Sequence, residues 1–290
     1  MIAFVFPGQG SQKRGMGQAF FDETPQYAEV EKDVDAILGY SLRKLCLEDA
    51  DNRLKETQFT QPCLYAVNAL HYYQAVDQGA RPDYLAGHSL GEYNALLAAG
   101  AFDFLTGLRL VQRRGDLMSR AKKGGMAAVI GLCVDLVAEV IEENGLADLD
   151  VANFNSPSQT VVSGPLEDIR RAGPFFEKAG ARIYMPLQVS AAFHSRYMAE
   201  AARAFADFLA PFSFLPPKTP VIANATAQPY PTDNASESVK SLLVNQITHS
   251  VRWTQSIRFL ISQGVTKFCE MGPGNVLTRI AQEIQKSQDS

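Results

Sequence analysis

The sequence predicts an α/β protein: a large part built on a parallel sheet, interrupted by a smaller insert of alternating strands and helices. Three observations predict it. Ile2-Ala3-Phe4-Val5-Phe6 is a short apolar run bounded by Pro7-Gly8, the pattern of a strand buried on both faces. Asp83-Tyr84-Leu85-Ala86 leads into Gly87-His88-Ser89-Leu90-Gly91, and Leu90 to Ala99 reads as a helix stopped by Gly100. This strand–turn–helix around Gly-x-Ser-x-Gly is the nucleophile elbow of an α/β-hydrolase-like sheet. From 124 to 189 the pattern runs β-α-β-β-α-β, a ferredoxin-like order. We therefore expect a large α/β-hydrolase-like subdomain from residues 1–123 and 190–290, and an inserted ferredoxin-like subdomain at 124–189.

The remaining elements follow in order. Residues 20–56 carry amphipathic helical patterns with scattered charge and point to no chemistry. Thr60-Gln61-Pro62 looks like a helix start, with Thr60 as cap and Pro62 in the first turn, and the helix runs to about Gln78. A further helix starts at Asp103 or Thr106 and runs through Met118. Lys122-Lys123-Gly124-Gly125 reads as a flexible, charged break. In the insert, strands are expected at Met126–Leu132, Leu149–Asn153, Gln159–Ser163 and Arg182–Leu187, and helices at Asp135–Asn144 and Leu166–Lys178. Ser190 to Ser195 returns the chain to the large part. Pro220–Asn224 is a strand, Ser238–Asn245 a helix ending in Gln246, and Val251-Arg252-Trp253 the start of a helix through Leu260. Thr266–Glu270 is the last strand, and a final helix follows to about Lys286.

Bulk properties fit a soluble enzyme. The 290 residues suffice for one large core and a second small one, and 46% hydrophobic with 20% charged content is ordinary for a globular chain. A net charge of −4 gives no support to nucleic-acid or membrane-surface binding. We expect no signal peptide and no membrane span, and a cytoplasmic monomer. Cys46, Cys63, Cys133 and Cys269 lie far apart without metal-ligand spacing and read as reduced thiols; no metal is expected.

The chemistry gathers at the elbow. Only glycine suits the positions flanking Ser89, and the helix N-terminus beyond it favours a developing oxyanion. A nucleophilic serine needs a base, and the chain has 4 histidines. His71 lies in a buried helix, and His88 precedes the serine on a strand, so its side chain points the other way. That leaves His194 and His249; a loop position just past the insert favours His194. Arg114 is one position out of step with Arg113. The short link after the elbow helix makes its helix the antiparallel neighbour, so Arg114 is able to reach the site and offer a fork to a substrate carboxylate. Phe193, beside the base, is expected to fill the space that an α-methyl branch would need. Pro7-Gly8-Gln9-Gly10-Ser11-Gln12 is a tight turn or an anion-binding loop; it lacks the Gly-Lys-Ser/Thr ending of a phosphate loop.

Together these residues resemble the malonyl-CoA:acyl-carrier-protein transacylases over almost the whole chain. The anchors are Phe6-Pro7-Gly8-Gln9-Gly10-Ser11-Gln12, Thr60-Gln61-Pro62, Gly87-His88-Ser89-Leu90-Gly91-Glu92-Tyr93, Arg114-Gly115, Asn153-Phe154-Asn155-Ser156-Pro157, Phe193-His194-Ser195, Val251-Arg252-Trp253 and Gly272-Pro273-Gly274-Asn275-Val276-Leu277. The runs 57–62 and 190–198 most resemble the free-standing, trans-acting acyltransferases of polyketide synthases. The resemblance implies Ser89 as acylated nucleophile, His194 as base and Arg114 as holder of the malonyl carboxylate. It implies an oxyanion hole from the N–H groups of Gln9 and Leu90, a supporting role for Gln246 behind the histidine, and Gln61 and Asn155 as pocket lining. Malonyl-CoA would be substrate, with no permanently bound cofactor, and a phosphopantetheinylated acyl carrier protein the partner, docked by a basic patch for which Lys122, Lys123 and Arg196 are candidates. The chain departs from the family at Thr248-His249-Ser250, where a proline usually precedes Val-Arg-Trp. A thioester hydrolase of the same fold is the alternative, which Arg114 opposes. A non-catalytic carrier-binding module would lack at least one of Ser89, His194 and Arg114.

Overall fold

The computed structural model describes residues 1–121, 123–189 and 191–288. Lys122 and Ser190, at the two expected junctions of the insert, lie outside the described residues. The strands are β1 (Ile2–Phe6), β2 (Tyr84–Gly87), β3 (Gly124–Ile130), β4 (Asp150–Ser156), β5 (Gln159–Pro165), β6 (Ile183–Pro186), β7 (Val221–Ile222) and β8 (Lys267–Glu270). They form two sheets. One is parallel, in the order β7-β2-β1-β8. The other is antiparallel, in the order β4-β5-β3-β6.

Alternation along the parallel strands explains the layers. Phe4, Phe6 and Leu85 point into the main core beneath the helices Thr57–Asp77, Gly91–Ala98 and Phe104–Arg120. Ala3, Val5 and Ala86 point the other way, onto Trp253, Ile257, Leu260, Leu277 and Ile284 of the two last helices. Both faces are covered, so β1 reads as an unbroken apolar run. The antiparallel sheet is likewise two-faced. Ala127, Val129 and Val162 pack beneath the helices Val134–Glu143 and Leu166–Lys178, whereas Met126, Ala128, Ala152 and Val161 join the main core. Because β5 separates β3 from β4, the insert is a split βαβ unit.

Several boundaries differ from expectation. Gly124 and Gly125 belong to β3 rather than to a flexible break: a Cβ on Gly124 would lie 2.3 Å from the Ala192 backbone nitrogen, so close strand approach explains the glycine. The helix expected from Thr60 starts at Thr57, with Pro62 inside it. The Thr60 hydroxyl does not cap; it turns back to the carbonyls of Leu54 and Glu56, at 2.6 and 3.0 Å. Gln246 lies inside the helix Ala235–Thr248. Strand β7 has only two residues, and just beyond it Asn224 binds the elbow. Val251 forms a single parallel bridge with Asn153 before the helix Trp253–Ser262 begins, tying the return segment to β4.

Candidate active site

The loops after β1 and β2 meet at the carboxyl end of the parallel sheet, where open α/β sheets bind ligands. The turn between β2 and Gly91 is as tight as the sequence predicts. A Cβ on Gly87 would lie 1.9 Å from the Gly91 carbonyl carbon, and one on Gly91 would lie 2.0 Å from the Phe6 oxygen. Ser89 itself is left-handed, at φ 51°. The loop Gly8-Gln9 is laid against this turn: a Cβ on Gly8 would be 2.4 Å from the His88 oxygen. Gln9 is thereby brought beside the elbow, its side-chain amide donating to the Thr57 hydroxyl at 3.3 Å. Among the described residues, the N–H groups of Gln9 and Leu90 donate to no protein acceptor.

His194 reaches Ser89 from across the sequence, its Nε2 2.7 Å from Oγ. It too is left-handed, at φ 56°, in a short turn closed by the Ser195 hydroxyl donating to Ala192 at 2.5 Å. Such backbone positions cost free energy in any residue but glycine, and a well-packed surround holds them. Phe193 is buried in the main core beside this turn. His194 Nδ1 lies 2.8 Å from the Gln246 main-chain carbonyl. A carbonyl only accepts, so the proton is on Nδ1 and the Nε2 lone pair faces the serine hydroxyl. Burial foremost, then the Arg114 charge, push the imidazole down to about 3, so it is neutral near pH 7.

Gln246 supports the histidine through its backbone, not its side chain. The side-chain amide has a different task. Its Oε1 accepts from Arg114 Nη2 at 2.8 Å, and its Nε2 donates to the Ser89 carbonyl at 2.8 Å and to Glu92 Oε2 at 2.5 Å. Arg114 is 1% exposed. It donates through Nη2 to Ser89 Oγ at 3.0 Å and through Nη1 to Gln61 Oε1 at 2.9 Å. The guanidinium stands over the Tyr93 ring, 5.5 Å from its centroid. Every hydrogen-bond acceptor on its fork is uncharged. A buried cation held by neutral oxygens beside an elbow serine is suited to an incoming carboxylate.

The other expected residues are placed as follows. Gln61 sits behind Arg114, with its amide nitrogen 3.6 Å from Met118 sulfur. Asn155 is bonded to His88 rather than to the serine–histidine pair, Oδ1 to Nε2 at 2.8 Å. His71 packs on Phe20 at 4.2 Å, and burial pushes it down to about 4. His249 is exposed, its Nδ1 2.8 Å from the Asn245 carbonyl, and its ring takes no part in the cluster. Arg196, expected in a basic docking patch, is instead ion-paired with Asp150. Its charge is therefore engaged on the protein itself. Lys123 remains exposed.

Two residues were missed. Asn224 accepts the Ser89 N–H at 2.7 Å and donates to the Gly87 carbonyl at 2.6 Å, clasping the elbow from both sides. Glu92 is fully buried and accepts from the Tyr230 hydroxyl at 2.5 Å, Gln246 Nε2, and Asn224 N–H at 3.3 Å. Burial pushes its carboxyl up to about 7 against these donors. A glutamate set in the apolar run Tyr93-Asn94-Ala95-Leu96-Leu97 is the signal that could have found it.

Comparison with known proteins fits this geometry. The family described as acyl transferase domain matches residues 3–290. The chain belongs to that family. This acyl transferase is 51% identical over 292 residues to the polyketide biosynthesis malonyl CoA-acyl carrier protein transacylase PksC of Bacillus subtilis (strain 168), covering 100% of this chain and 99% of the relative. Among solved structures, a malonyl CoA-acyl carrier protein transacylase from Burkholderia pseudomallei superposes with a TM-score of 0.93 at 47% identity, over 99% of this chain and 98% of that one. A malonyl-transacylase in complex with its type II PKS acyl-carrier protein superposes with a TM-score of 0.92 at 36% identity, over 98% and 93%.

The depressed His194 fixes a pH dependence for this acyl transferase. If His194 acts as base on Ser89, its depression to about 3 from 6.5 predicts serine loading that stays level as the pH falls through 6.5 and declines only nearer the lower value. Removing the Arg114 charge, which lowers the imidazole, moves that acidic limb upward. Single-turnover loading rates between about pH 4 and 8 check both when Glu92→Gln protein is run beside the native, since the Glu92 carboxyl is the other group here raised to about 7; a limb at 6.5 that persists in Glu92→Gln would contradict the burial argument. The linked stability has the same sign. The unfolded chain binds this proton first, so stability drains away as pH falls from 6.5 toward 3.

Proposed function

We propose that this acyl transferase carries a malonyl group from malonyl-CoA to the phosphopantetheine thiol of an acyl carrier protein through an ester on Ser89, in polyketide assembly. The observation that carries the malonyl reading is Arg114, buried and 3.0 Å from the Ser89 hydroxyl with only neutral acceptors on its fork. Support for the polyketide setting is the likeness to the Bacillus transacylase named for it. The partner reading draws on the solved neighbour's complex with an acyl-carrier protein.

The chemistry follows from the placed atoms. His194 Nε2 takes the Ser89 proton as Oγ attacks the thioester carbonyl. The oxyanion forms toward the Gln9 and Leu90 N–H groups, then collapses and expels the CoA thiolate, which takes the proton from His194. Malonyl-Ser89 remains. The carrier thiol then gives its proton to His194, attacks the ester and leaves with the malonyl group, returning the proton to Ser89. Residues 1–123 with 190–290, and residues 124–189, form the two walls of the cleft in this reading. The protein acts as a cytoplasmic monomer with no resident cofactor, and neither nucleic acid nor membrane takes part. No helix among the described residues is long and apolar enough to cross a membrane. A non-catalytic module is not favoured, since Ser89, His194 and Arg114 are all present in one cluster.

Substrate competition tests this. In a partly dry cleft one charge-assisted pair contributes about 2–4 kcal/mol. Arg114→Ala therefore lowers malonyl transfer by about 30-fold to 1000-fold and leaves acetyl transfer equal or better. If malonyl and acetyl transfer fell together, or neither changed, Arg114 would not be the carboxylate holder. Phe193 should make methylmalonyl-CoA a poorer substrate by about 1–3 kcal/mol, the worth of a methyl. Phe193→Ser narrows that gap; an unchanged gap removes Phe193 from the pocket.

A further inference from the structure

Glu92 is unaccounted for by the transfer steps, yet it is the hub of the polar network beneath them. It occupies the second residue of the helix Gly91–Ala98, directly behind the elbow. Its two oxygens gather donors from two other parts of the fold. Tyr230 and Asn224 come from the segment after β7, and Gln246 from the helix Ala235–Thr248. Two of these in turn hold something at the site. Asn224 clasps both sides of Ser89, and Gln246 meets Arg114 with its side chain and His194 with its carbonyl.

The amide of Gln246 is the informative group. A primary amide offers an acceptor at one end and a donor at the other, and packing alone distinguishes them poorly. Here the Nε2 end faces two groups that accept, the Ser89 carbonyl and the Glu92 carboxyl. The Oε1 end then meets Arg114 Nη2. Turned over, the amide would set N–H against the guanidinium and oxygen against two oxygens. Three hydrogen bonds would become three repulsions, in a place where water cannot compensate.

We propose that Glu92 is a positioning residue for malonyl recognition: by accepting from Gln246 Nε2 it fixes which end of that amide meets Arg114, and so aims the fork at the substrate carboxylate. Glu92 touches neither substrate nor reacting atom. The inference rests on the reading of Arg114 as the malonyl holder. What matters is the reach of the side chain more than its charge. The raised carboxyl fits this, since burial already favours a neutral group at the position. Glutamine at 92 keeps the reach and an acceptor oxygen for Gln246, and its own amide nitrogen is able to donate to the Tyr230 oxygen. Aspartate keeps the carboxyl group but withdraws it by one carbon–carbon bond, about 1.5 Å.

The test compares kcat/KM for malonyl-CoA and acetyl-CoA in native protein, Glu92→Gln and Glu92→Asp, with melting temperatures taken alongside. Native protein prefers malonyl. Glu92→Gln holds that preference within about threefold, whereas Glu92→Asp loses about tenfold or more of it, with the malonyl KM rising. Gln246→Leu, which keeps the main-chain carbonyl for His194, removes the same contact from the other side and gives the same loss of preference. The proposal is overturned if Glu92→Asp keeps the preference while Glu92→Gln loses it, which would make Glu92 a counter-charge. It is also overturned if both substrates fall alike in every variant, which would leave a role in folding alone. An unchanged preference in Gln246→Leu overturns it as well, even where Glu92→Asp does not fold. Native protein with no preference for malonyl would instead sink the reading of Arg114.

Discussion

Ser89→Ala protein should gain no mass from malonyl-CoA, and transfer to a carrier protein should fall to background. In the proposed mechanism the elbow activates this hydroxyl. Its left-handed backbone at φ 51° lifts Oγ clear of the turn, and both His194 Nε2 and Arg114 Nη2 lie within 3.0 Å. Ser195, two strides away in sequence from Phe193, points elsewhere, with its hydroxyl bonded to Ala192. Ser195 is therefore not placed to take over. The fold should survive, because the two flanking glycines and Asn224 hold the turn through backbone atoms. Intact-mass spectrometry after incubation with malonyl-CoA reads the outcome; a malonyl adduct on the alanine protein would move the nucleophile to another residue.

His194→Ala comes next in size. In the proposed exchange the imidazole serves both half-reactions, and general-base removal typically costs on the order of 10³ in rate or more for a hydroxyl nucleophile. Its neutral state and fixed tautomer mean that no proton must be shed before it can act. Rapid-mixing measurement of the first half-reaction isolates the effect from carrier binding. Loss of similar size in His249→Ala would contradict the assignment, since that ring is exposed and engaged with Asn245.

Much of this site was legible in the residues because the elbow is a local pattern. Strand β1, the turn at Ser89, the helix after it and the helix Leu166–Lys178 follow from runs of neighbouring residues. Arg114 was legible for a related reason: a short connection made its helix the neighbour of the elbow helix. Other features depend on atoms distant in sequence. The helix start at Thr57 is hidden because Pro62 imitates a first-turn proline, while the Thr60 hydroxyl answers carbonyls behind it. The histidine's support could not be read as a side chain, because it is the main chain of Gln246 that provides it. Arg196 read as free charge for want of a visible partner, Asp150, 46 residues away. Glu92 drew no reading of its own, because an acid in a helix's first turn is welcome to the dipole; only the converging donors from Tyr230, Asn224 and Gln246 reveal a buried hub.

The proposed reaction is a two-step exchange through a malonyl ester on Ser89. A chase experiment tests it most directly: native protein is incubated with malonyl-CoA, freed of excess CoA ester, then mixed with phosphopantetheinylated carrier protein while both intact masses are followed. The account predicts that the protein first gains one malonyl group, then loses it as the carrier's thiol gains the same mass. Release of the group as free malonate at an equal rate with or without carrier, or malonylation of the carrier with no adduct ever formed on the native protein, would contradict it.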